Sequence, residues 1–150
     1  VLSNDMKKHE LEISNVIAEK LHPIEEILSL NVIAINKLKT CHPSFQHDLK
    51  KYYPQSWNIF DKKNRQLTYK VSIQNLKKGI KEGCYRKEIN PEIISKIFSE
   101  KIDVIFNSLA FEAINVSFSD VYKELINHHV LGIVNEKGRK YYLNFQKTTK

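Results

Sequence analysis

The side chains best placed to do chemistry lie between residues 57 and 79, where Trp57, Thr68, Ser72, Asn75 and Gly79 recur at helical spacing. At about 100° per residue they fall into one strip of a helix wheel. An apolar row of Phe60, Leu67 and Val71 flanks the strip on one side, and Tyr69, Ile73, Leu76 and Ile80 flank it on the other. Small hydroxyl and amide groups framed by apolar surface suit a mostly apolar ligand cavity that needs a few orienting hydrogen bonds. Ile27, Asn31 and Phe106, on other helices, are candidate further walls. A plainer reading stays open: small residues let two helices approach closely, and Asn75 bonds to a neighbour.

Catalytic and metal chemistry finds less support. His42 and His47 are five apart, and the adjacent His128 and His129 diverge by about 100° on a helix, so neither pair presents two ligands to one ion. There is no H-E-x-x-H, G-x-S-x-G or glycine-rich phosphate loop. Glu25 and Glu26 have no partner acid or base at usable spacing. Cys41 beside His42 could be a redox thiolate, because an imidazolium lowers a thiol pKa, but burial near a helix end is the better account. Cys41 and Cys84 form neither a C-x-x-C motif nor a disulfide framework. The expectation is a protein without catalytic residues, metal or cofactor.

The elements that must position the strip are helices. The 150 residues fit one domain spanning 1–150, and 41% hydrophobic content with only four glycines and four prolines argues for long helices around a sizeable core. Pro23 separates a first helix, from Ser3 to Leu21, from a second that runs to about Cys41. Ser44 caps a short helix ending before Pro54. The helix bearing the strip runs from about Gln55 to Glu82, closed by Gly83 in the left-handed region. Asn90-Pro91-Glu92 starts the next, to about Leu109, and Ser117 with Asp120 resembles a capping box for one ending at Ile133. Gly138 to Phe145 forms a final short helix. The fold class is all-α, an antiparallel helical bundle.

Charge and hydropathy add limits. The net charge of +7 raises the question of nucleic acid, but the lysines are spread singly and in pairs such as Lys50-Lys51 and Lys62-Lys63, as on solvated helix faces. No apolar run approaches the ~18 residues of a membrane span, and no signal-peptide pattern opens the chain. A cytoplasmic location with no membrane partner is the expectation.

Two consecutive helices are apolar over wide arcs, about 220° in the first case against the ~100° that one buried face requires. Packing on their own copies as a four-helix interface in a twofold homodimer would cover them. The expected contacts are Ile94, Phe98, Ile102, Ile105 and Leu109 on one helix, with Tyr122, Leu125, Ile126, His129 and Ile133 on the other. Cover by the first two helices and the C-terminal segment is the alternative.

Several segments carry a family resemblance. His42-Pro43-Ser44-Phe45, Asp48-Leu49-Lys50-Lys51-Tyr52-Tyr53-Pro54 and Trp57 resemble the middle of the regulatory domain of TetR/AcrR-type transcriptional regulators, in a branch found in Bacteroidetes-like bacteria. Gly79 to Arg86 with Ile89 to Ile94 is similar to that family's helix end, turn and next helix start, and His129 to Val134 with Glu136-Lys137-Gly138 is similar to its C-terminal stretch. The resemblance implies a TetR C-terminal regulatory fold that dimerises through a four-helix interface, with a ligand cavity along the long central helix. It implies a repressor released by a small apolar or amphipathic effector, with operator DNA bound through an N-terminal helix-turn-helix that these residues do not include. The chain opens on Val1, where the linker helix after that unit would stand. A stand-alone helical protein-interaction module without DNA binding is the other reading.

Overall fold

The computed structural model describes residues 2–40, 43–106 and 111–149, and among them the secondary structure is seven α-helices and one 3₁₀ turn. The helices are α1 (Leu2–Ala18), α2 (Pro23–Thr40), α3 (Pro43–Tyr52), α4 (Pro54–Lys81), α5 (Pro91–Phe106), α6 (Phe118–Ile133) and α7 (Glu136–Thr148), with the 3₁₀ turn at Glu112–Ile114. No described helix is long and apolar enough to cross a membrane.

Local caps explain most boundaries. Asn90 Oδ1 accepts from the backbone N–H groups of Glu92 and Ile93 at 3.0 and 3.1 Å, supplying partners that a helix start otherwise lacks. Ser117 Oγ accepts from Asp120 N at 3.1 Å and its hydroxyl donates to Asp120 Oδ2 at 2.6 Å, so Asp120 bonds the capping side chain instead of the backbone N–H that a longer Glu would reach. Three boundaries differ from expectation. Helix α3 begins at Pro43, which puts Ser44 inside its first turn instead of at the cap. The first helix stops at Ala18, not Leu21, because Lys20 turns into the left-handed region at φ 51°. The last begins at Glu136, not Gly138, because Asn135 Oδ1 accepts from Gly138 N at 3.0 Å and makes Asn135 the cap.

Helix α4 is central, packing chiefly on α5, α2 and α3, while α6 lies against α2 and α5. The core joins Ile24 and Ile27 of α2, Leu76 of α4, Phe98 of α5 and Ile126, Val130 and Ile133 of α6 to Tyr85 and Tyr142. After α4 the chain doubles back. Gly83 takes φ 77°, and the N–H groups of Cys84 and Tyr85 both donate to Gly79 O, at 3.0 and 3.1 Å. Tyr85 then pairs with Val134 in an isolated antiparallel bridge, with Arg86 N on Ile133 O at 2.9 Å and Asn135 N on Cys84 O at 3.1 Å.

Two glycines should respond to alanine with opposite signs. Gly132 sits on the exposed side of α6 with nothing near an added Cβ, so Gly132→Ala should stabilise by up to about 1 kcal/mol. Gly83→Ala should destabilise by about 1 kcal/mol, since its positive φ disfavours any Cβ even with open space around it. Urea unfolding midpoints of the two variants check the pair, and shifts of the same sign would contradict this account.

Candidate functional site

A small cavity of about 90 Å³ lies where α1, α2, α4, α5 and α6 meet. Ile27 and Asn31 of α2 and Thr68, Ser72 and Asn75 of α4 line it, together with His9 and Ile13 of α1, Phe98 of α5 and Tyr122 of α6. Five expected ligand-binding positions thus share one wall system. Trp57 and Phe60 do not reach it. They stand roughly 16 Å and 12 Å further along α4 than Thr68 at 1.5 Å per residue, with ring centroids 5.9 Å apart and lysines over the rings, Lys50 on Trp57 and Lys37 on Phe60. The Phe106 side chain lies outside the described part of α5.

The strip on α4 divides into two parts. Its C-terminal part forms a joint. Asn75, 1% exposed, donates from Nδ2 to Pro23 O and to Glu26 Oε1, both at 2.9 Å, and accepts from the Tyr85 hydroxyl at 2.8 Å. Glu26 also accepts from Lys78 Nζ at 2.6 Å, and the same ammonium donates to Leu21 O at 2.6 Å. A Cβ at Gly79 would fall inside the Tyr85 ring contact distance, so that glycine is what admits the ring. Close approach and a bonded Asn75 therefore account for this part. The remaining part, Thr68 and Ser72, faces the cavity.

The cavity is neutral and mostly apolar. Among the described residues no Asp, Glu, Lys or Arg lines it. Asn31 is engaged: Nδ2 donates to Ile27 O at 2.8 Å and Oδ1 accepts from the Tyr122 hydroxyl at 2.9 Å. Burial pushes the Tyr122 phenol above its ordinary range, so it stays protonated. Burial first, then the Lys37 charge, pushes the His9 imidazole down to about 4, against a smaller pull from Glu12, which keeps the ring uncharged near neutrality. Two buried lining atoms have no hydrogen-bond partner among the described residues, Ser72 Oγ and His9 Nδ1. A buried polar atom left this way is costly unless something else satisfies it. His9 escaped the sequence reading, although Met6, His9 and Ile13 recur at helical spacing on the inner side of α1, with Met6 buried.

Among the described side chains, the apolar arc of α6 and part of that of α5 are covered within one chain. Phe98, Tyr122, Ile126, His129 and Ile133, expected at an interface between copies, are all buried here, and Ile94 and Leu125 are partly buried against the core. Only the backbone of Ile102 and Ile105 is described, and Leu109 lies outside the described residues. Among the described α5 side chains the exposed apolar ones are Ile93 and Ile97, at 57% and 47%. A helix wheel reports how wide a surface needs cover, and not whether a neighbouring helix or a second molecule provides it.

His129 makes stability depend on pH. Its ring lies 4.3 Å from that of Phe98, Nε2 has no partner, and burial, then Lys101 and His128, push its pKa down from 6.5 to about 4. Above pH 6.5 the ring is neutral in both folded and unfolded chains, whereas between 6.5 and about 4 only the unfolded chain takes up the proton. Stability should therefore fall by up to about 3 kcal/mol as pH drops through that window, and level off below it. His9 acts in the same direction. His129→Leu should remove most of the fall in thermal melts taken from pH 7 to pH 4; a curve parallel to wild type would acquit this residue.

Among the described residues no three His, Cys, Asp or Glu side chains come together as a metal site would require. Cys84 is buried, its thiol donates to Gly79 O at 3.4 Å, and burial first, then the Glu82 charge, raises its pKa to about 11, which leaves it unreactive. Cys41 and His42 lie outside the described residues. A scan against protein-family models, a search of curated proteins and a search of solved structures each return no match for this chain.

Proposed function

We propose that this domain binds a small molecule in the cavity between α1 and α4, as the sensing and dimerising part of a TetR-type transcriptional regulator. Binding is the activity; no bond is made or broken. The observation that carries the reading is Ser72 Oγ, a buried hydroxyl without a protein partner, facing a neutral cavity that five helices share. The regulator assignment rests on the ordered resemblance over residues 42–57, 79–94 and 129–138.

Effector action requires one arrangement of helices to bind the effector better than another. Helix α1 is the natural moving part, because it packs chiefly on α2 and yet contributes His9 and Ile13 to the wall. At about 90 Å³ the cavity is far below the ~300 Å³ at which drug-sized pockets begin. Any larger effector would have to displace α1.

The homodimer belongs to the same proposal, through a different surface of α5. Ile93, Ile97 and Tyr69 line an open groove with Asp61, Glu92, Arg65 and Lys96 around it, and both signs of charge suit a self-complementary twofold contact. The exposed Ile93 and Ile97 also favour a second reading, a helical interaction module that docks a different protein there.

Thermal-shift screening of a small-metabolite library should yield compounds that stabilise wild type and not Ser72→Trp, whose indole fills the cavity. Stabilisation of both proteins alike would remove the cavity from the reading. Sedimentation should show a dimer that Ile97→Glu dissociates, and a concentration-independent monomer would sink that part. A helix-turn-helix encoded immediately upstream of Val1 is expected; a different upstream sequence would favour the interaction module.

A further inference from the structure

We infer that the cavity selects a neutral, compact molecule bearing one hydroxyl, held between Ser72 on α4 and His9 on α1. The inference rests on the reading of this cavity as the effector site and narrows what that effector can be.

Size comes first. A water occupies about 30 Å³ of liquid, so about 90 Å³ admits a molecule of roughly four to six heavy atoms without rearrangement. Charge comes second. With no ionised side chain among the described lining residues, a buried carboxylate or ammonium would lose its hydration without a counter-charge. The Lys37 charge acts on His9 from outside the described lining, with its ammonium 5.2 Å from the Phe60 ring centroid. An anion is therefore less strongly excluded than a cation, and a neutral molecule fits better than either.

The polar group follows from what the wall leaves over. Asn31 and Tyr122 bond to each other and Asn75 bonds to Pro23, Glu26 and Tyr85, while Ser72 Oγ and His9 Nδ1 are the buried lining atoms without a partner among the described residues. A serine hydroxyl both donates and accepts, and an imidazole Nδ1 does one or the other according to tautomer. A ligand hydroxyl, which also does both, satisfies the pair with either tautomer. A carbonyl or ether oxygen only accepts, and a hydrocarbon leaves both wall atoms unpaired.

Methyl NMR of the full chain with matched probes tests this: 1-butanol, n-pentane, butyrate and n-butylammonium. Saturable shifts of the Ile13, Ile27 and Val71 methyls are expected with 1-butanol, with n-pentane binding about three- to ten-fold more weakly for want of hydrogen bonds. Butyrate should bind at least about ten-fold more weakly and n-butylammonium should leave the signals in place. Ser72→Ala should bring 1-butanol to the level of n-pentane, with unchanged Ile126 and Ile133 methyls showing that the fold is intact. Equal or tighter binding of either ion at these methyls would overturn the inference while leaving the cavity an effector site. An unchanged ratio of 1-butanol to n-pentane in Ser72→Ala would overturn it too, as would four probes that leave the lining methyls unmoved. In that last case the metabolite screen against Ser72→Trp still decides separately whether the cavity is the effector site.

Discussion

Asn75→Ala should lower the melting temperature by about 12 °C, from a loss of about 4 kcal/mol at roughly 2–4 °C per kcal/mol for a chain of this size. The substitution removes both partners of buried groups that water cannot reach. Tyr85, 0% exposed, loses the acceptor for its hydroxyl, and the buried Pro23 carbonyl loses the amide that joins it to α4. Each orphaned group costs about 1–3 kcal/mol. Glu26 keeps Lys78 but gives up its second donor. The double variant Asn75→Ala/Tyr85→Phe should recover about 1–2 kcal/mol, because it removes the stranded hydroxyl along with its acceptor. A single-variant loss below about 1 kcal/mol, or no recovery in the double variant, would mean that the network does not hold the α2–α4 joint.

Gly138→Ala should destabilise by about 4 kcal/mol, above the usual 1–3 kcal/mol for an overpacked core site. The added Cβ would run into the Cys84 carbonyl oxygen, and would stand 3.1 Å from both Cys84 C and Val134 Cβ. A side chain could turn aside, but a main-chain carbonyl cannot. It already accepts from Asn135 N at 3.1 Å, so retreat of α7 breaks that bond and disturbs the Tyr85–Val134 bridge. Retreat also loosens Tyr142, 2% exposed, and the Tyr141 ring stacked on His22 at 3.8 Å. Amide exchange along α7 should accelerate in step with the fall in stability. Wild-type protection in α7 would place the strain elsewhere.

Much of the fold was legible because helix ends are local chemistry. Asn90 and Ser117 cap, and Gly83 turns, through atoms within three residues of each helix end, so sequence alone locates them. Asn135 caps in the same way, and the final helix was expected two residues late because Gly138 was taken as its start rather than as the donor to the cap. What the sequence could not supply was the partner of a surface. Phe98 and Tyr122 are expected from the helix wheel at an interface between copies, and in the structure they line the cavity, where α6 lies against α2 and α5. Of the strip on α4, the spacing identified every small residue, but the division between Asn75 and Ser72 depends on Tyr85, which only the turn after α4 brings beneath it. His9 was invisible for the complementary reason. One imidazole on an amphipathic helix carries no signal until other helices bury it.

The bridge between Tyr85 and Val134 gives the chain a seam. Everything between those residues departs from one point and returns to it, so α5 and α6 form a closed excursion whose base is fixed by main-chain bonds. Phe98 and Tyr122 lie on the two arms, and the outer bend, with its 3₁₀ turn at Glu112–Ile114, lies beyond both. Closing a longer excursion costs only about 0.6 kcal/mol per doubling of its length. Evolution can thus lengthen or trim that bend as one would extend an awning, while the seam keeps its fittings and the wall behind it stays where it was.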